Sequence, residues 1–108
     1  MFAVDVAGGA KTCVTPSVSA PDGMEVRADI QVSDEGGWCG ITLNRSGTAY
    51  DTYFMVARPN HGRVYAHHVG SYTRVDYTPD AGYAGRDSFA VRLIPGDAVL
   101  RGEVTVTK

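Results

Sequence analysis

Apolar and polar residues alternate with a period of two through most of this chain. Residues 24–32 show it best: Met24, Val26, Ala28, Ile30 and Val32 fall on one side, and Glu25, Arg27, Asp29 and Gln31 on the other. Successive side chains of a strand point to opposite faces, so this segment predicts a half-buried strand whose register the core fixes. Residues 2–6 predict a short edge strand. Residues 12–19 predict another, confined to an edge or a bulge because Pro16 has no amide to donate. Residues 38–43, 63–68, 73–78, 88–94 and 98–106 read as further strands. In the last two, Phe89, Val91, Leu93, Leu100, Val104 and Val106 point inward. Residues 50–58 are apolar on both faces, which predicts a central strand or one covered by a partner.

The arms 63–68 and 73–78 predict a hairpin with a defined register. Pairing His68 with Thr73 sets Ala66 against Val75 and Val64 against Tyr77. It also sets Tyr65 against Asp76 and His67 against Arg74, so like meets like on both faces. No window sustains a 3.6-residue period. Short strands with turns about every eight to twelve residues predict an all-β chain folded as an antiparallel β-sandwich of the immunoglobulin-like, Greek-key kind.

Composition narrows the class. The 108 residues suit one domain spanning residues 1–108. Thirteen glycines and five prolines supply the turns. The formal charge is −2, with cations scattered along the chain, which speaks against a nucleic-acid partner. No apolar run nears the roughly 20 residues of a spanning helix, so a membrane-embedded chain is not expected. The first residues show no signal peptide pattern. The pair Cys13 and Cys39 nonetheless predicts one disulfide, and with it a secreted, periplasmic or cell-surface setting.

The stretch Tyr77, Thr78, Pro79, Asp80, Ala81, Gly82, Tyr83, Ala84, Gly85, Arg86, Asp87, Ser88, Phe89 resembles the bacterial immunoglobulin-like, cadherin-like repeats of secreted and surface proteins. Pro59 and the run Gly62, Arg63, Val64 fit the same pattern. The resemblance covers residues 59–106 and implies adhesion, spacing or carbohydrate contact. It departs from the family in being a single copy and in its first half, with Cys13 and the run Gly37, Trp38, Cys39, Gly40. The motif residues also have physical roles of their own. Tyr77 points inward, Gly82 and Gly85 permit a tight crossover, and Tyr83 plugs the end of the core. Asp87 holds turn amides, and Phe89 re-enters the core. A calcium site at Asp80, Asp87 or Asp97 lacks the alternating oxygen ligands such a loop needs.

Candidate chemistry is sparse. No cofactor motif is present, and no enzyme is expected. A nucleophile at Cys39 with His61 or His68 would need an activated thiolate, against which the second cysteine argues. His61, His67 and Asp76 form an alternative zinc or copper set, if the loop at His61 folds back. The leading expectation is a binding or structural module for an unknown protein or glycan, acting as a monomer or homodimer. Its candidate contacts are Trp38, expected to face outward because Cys39 faces inward, and the outward stripe Arg63, Tyr65 and His67. On such a face His67 would couple contact to pH between about 5 and 8.

Overall fold

A computed structural model describes residues 10–34 and 37–108. The expected strand at residues 2–6 lies outside the described residues. Eight strands follow in order: β1 (Cys13–Val14), β2 (Glu25–Ser33), β3 (Cys39–Leu43), β4 (Thr52–Ala57), β5 (Gly62–Val69), β6 (Tyr72–Pro79), β7 (Gly85–Ile94) and β8 (Ala98–Thr107). They form a five-stranded sheet, β1-β2-β8-β7-β4, and a three-stranded sheet, β3-β6-β5. The chain changes sheet after β2, β3, β4 and β6, while β5–β6 and β7–β8 are hairpins within a sheet. Among the described residues there is no helix, and so none long and apolar enough to cross a membrane.

The alternation explains the core. Ala28, Ile30 and Val32 from β2 meet Phe89, Val91 and Leu93 from β7 and Leu100, Val104 and Val106 from β8. Ile41, Leu43, Ala66, Val75 and Tyr77 close over them from the other sheet. Burying each large side chain of this set contributes about 1.5–3 kcal/mol. The ring of Phe89 lies over Gly102, its partner across β7–β8, and occupies the place a Cβ would take. The disulfide joins Cys13 of β1 to Cys39 of β3, with Cα atoms 5.4 Å apart, and so ties one sheet to the other.

Four expectations change. Residues 50–58 do not form a central strand: β4 ends its sheet, with Phe54 59% and Val56 51% exposed. Residues 12–19 form a strand only at Cys13–Val14, with Thr12 bonded to Ser33 just before it, since Pro16 stops the ladder. Met24 is exposed, because β2 begins one residue later. The sandwich is also not wholly antiparallel. β2 runs parallel to β8 over nine residue pairs, from Glu25↔Val99 to Ser33↔Thr107. No tight turn joins these two strands, so nothing forces them to run in opposite directions.

Candidate functional site

The register expected for the β5–β6 hairpin is the one observed, from Val64↔Tyr77 to His68↔Thr73. It sets Arg63, Tyr65 and His67 on the outer face of the three-stranded sheet, beside Arg74 and Asp76 of β6. On the other side of β6, β3 contributes Gly40 opposite Asp76 and Thr42 opposite Arg74. Trp38 precedes β3 and joins this face, while Cys39 turns into the core, fully buried.

Trp38, Tyr65, His67, Arg74 and Asp76 form one connected cluster. Asp76 sits at its centre, with only 8% of its side chain exposed, where the alternation predicted a solvated residue. Its Oδ1 accepts from Arg74 Nε at 2.9 Å, and its Oδ2 lies 2.8 Å from His67 Nε2. A carboxylate only accepts, so Nε2 of His67 carries the proton. Arg74 Nη2 lies 3.1 Å from that same nitrogen, where no lone pair remains for it. The Arg74 guanidinium spreads over the Trp38 ring, 4.1 Å from its centroid. Trp38 is therefore half-buried, packed locally on the outer face it was expected to join, with a cation on one side of its ring. The Tyr65 ring stacks on His67, with centroids 4.6 Å apart and planes 16° apart, and remains 60% exposed.

Gly40 makes this packing possible, and the sequence reading missed it. A Cβ there would collide with Oδ1 of Asp76 and press on Cγ of Arg74. The bare backbone lets the Arg74 stem cross β3 towards Trp38 while the carboxylate settles beside it. An isolated glycine inside the strand pattern was the available signal. Gly40→Ala should cost about 1–3 kcal/mol by overpacking. It should also shift the emission of the single tryptophan to the red as Arg74 leaves its ring. Thermal unfolding and fluorescence measure the two effects.

The family-motif residues gather at another place, one end of the sandwich. Tyr77 is buried and donates its hydroxyl to Asp87 Oδ2 at 2.7 Å. Asp87 also accepts from the backbone amides of Asn60 (2.9 Å), His61 (2.9 Å) and Ser88 (2.9 Å). Burial pushes the Asp87 carboxyl up, but these four hydrogen bonds outweigh it and hold the group below the usual carboxylate range. The Tyr77 hydroxyl is driven far above its ordinary value, first by burial and then by its bond to Asp87. Gly82 and Gly85 carry positive φ values of 85° and 144° in the crossover from Pro79 to β7. Tyr83 packs against the core, donates to the Arg86 carbonyl at 2.6 Å and stacks on His61 at 3.9 Å.

The metal set does not assemble. His61 precedes β5 and stacks on Tyr83, while His67 lies six residues further along, about 20 Å at the rise of a strand. No group of three His, Cys, Asp or Glu side chains that could hold a metal ion occurs among the described residues. Cys39 offers no thiolate, because its sulfur is in the disulfide. His68 lies apart from the cluster, with Nε2 donating to the Tyr50 carbonyl at 2.6 Å.

No protein-family model matches this chain, and a search of curated proteins found no significant match.

Proposed function

We propose that this chain is a non-enzymatic, exported immunoglobulin-like module that contacts a protein or glycan through the outer face of its three-stranded sheet. The observation that carries the reading is the cluster on that face. Trp38, Tyr65, His67 and Arg74 gather around a nearly buried Asp76 that has no part in the core, and Arg63 lies exposed on the same face. A merely solvated face has no need of a carboxylate held by two partners, or of an aromatic ring left 60% exposed on a rigid stack. Rigid aromatic and arginine side chains are the groups that most often dominate contact surfaces.

The finer fold assignment belongs to this proposal. In chain order β3, β6 and β5 take the places of strands B, E and D of an immunoglobulin Greek key, and β4, β7 and β8 those of C, F and G. The Tyr77 to Phe89 motif supports kinship with the bacterial cadherin-like repeats. The Cys13–Cys39 bridge supports an oxidising setting outside the cytoplasm.

A glycan array and a panel of cell-surface proteins, probed with the intact chain, test the function. Tyr65→Ala and Arg63→Ala should weaken whatever binding is found by at least about tenfold each, the scale of a contact hot spot. Gln31→Ala, on the opposite sheet, should leave it unchanged. Binding that survives both changes on the β5 face would refute that surface.

A further inference from the structure

The two sheets leave four outer edges, and three of them are guarded. β1 is two residues long and is followed by Pro16. β3 starts at the disulfide, and just before it Trp38 accepts a backbone hydrogen bond from Ala10 at 3.1 Å. β5 carries Arg63, His67 and His68. Charges, prolines and short length are the usual means of keeping a sheet edge from pairing. β4 has no charged residue and no proline over Thr52–Ala57, and no described residue pairs with its outer side. It also holds Phe54 and Val56, two of the most exposed large apolar side chains. A bulge occurs between Met55 and Ala57, yet the exposed–covered alternation continues through it.

The ends of this strand bear opposite charges. Asp51 precedes it and Arg58 follows it, both exposed, and neither makes an ion pair among the described residues. Such a strand is complementary to itself when turned end for end. We propose that two copies of this chain pair through the outer edges of their β4 strands, antiparallel about a two-fold axis at Phe54. The two five-stranded sheets then join into one continuous sheet.

In this register Phe54 faces its own copy and Thr52 faces Val56, so outward residues meet outward residues. Tyr53 meets Met55 on the inner side. Ala57 stands opposite Asp51, so the end of each strand that is followed by Arg58 lies at the end of the pair where the other copy carries its acid. Arg92, the partner of Phe54 on β7, extends the row on either side. The two Arg92 residues are then three strand spacings apart, about 14 Å, beyond the screening length at physiological salt. A strand pair of this size is well below a standard interface of about 1,600 Å², so the association is weak and concentration-dependent.

Sedimentation equilibrium from about 10 µM to about 1 mM reads it directly. The wild-type mass should rise towards twice that of one chain, while Phe54→Lys and Val56→Lys stay monomeric with unchanged circular dichroism. Both positions are exposed, so the lysines do not disturb the core. Register has its own readout. Under mild oxidation Phe54→Cys should cross-link to itself, whereas Thr52→Cys and Val56→Cys should cross-link with each other when mixed and not when alone. A wild-type chain that remains monomeric throughout overturns the proposal. So does a dimer that both lysine variants retain, or a Thr52→Cys chain that cross-links alone as readily as in the mixture.

Discussion

Replacing Asp87 by alanine should destabilise the domain by about 3–5 kcal/mol, the cost of removing one partner from a buried charged network. Three backbone amides and the Tyr77 hydroxyl lose their acceptor together. At about 5 °C per kcal/mol for a domain of this size, the midpoint should fall by some 15–25 °C. Asp87→Asn keeps one acceptor oxygen and should lose clearly less. The sign of the pH effect follows from the lowered folded-state value. The contribution of Asp87 is complete above the unfolded carboxylate value of about 4 and is lost as pH falls through the lower folded value. Urea midpoints measured from pH 7 down to about pH 2 should therefore drop steeply below pH 4 in the wild type and flatten in Asp87→Asn. Tyr77 acts at the other end of the scale. Its raised value leaves its contribution intact below about pH 10 and diminishes it above.

Loss of the disulfide should have an effect of similar size. The bridge spans a sequence separation of 26 and crosses from one sheet to the other. Closing such a loop stabilises by roughly 3–4 kcal/mol through the unfolded chain. A Cys13→Ala, Cys39→Ala double variant, or the wild type under reductant, should unfold at a temperature about 15–20 °C lower. Equal midpoints with and without reductant would show that the link contributes nothing. The side chain of Cys39 is fully buried, so the variant also reports a small local packing loss.

Much of this fold was legible because binary patterns are strong where one face is dry. The β2 alternation and the β5–β6 register follow from matching two columns of side chains, with few competing solutions. The Tyr77–Asp87 corner was legible for a related reason, since glycines at fixed offsets announce the crossover. Residues 50–58 misled because an apolar outer face looks the same whether a neighbouring strand covers it or nothing does. The pattern reports what a side chain is, and not which strand lies beside it. Asp76 misled in the opposite sense. It faces outward as its position requires, yet it is covered, because Gly40 leaves room for Arg74 and His67 to close around it. That arrangement depends on three strands meeting, and spacing along one strand carries no trace of it. For the same reason Trp38 could be placed on the outer face, but its arginine neighbour could not.

The parallel ladder between β2 and β8 governs when the domain can exist at all. Its first partners, Glu25 and Val99, stand far apart in the sequence, and β8 is the middle strand of its sheet, between β2 and β7. Contacts between such distant residues form slowly, because the loop between them must be closed before any of them is gained. During synthesis the five-stranded sheet therefore cannot close before β8 is present. Until β8 leaves the ribosome, β2 and β7 lack their common neighbour, and the five-stranded sheet of the nascent polypeptide should stay open to chaperones.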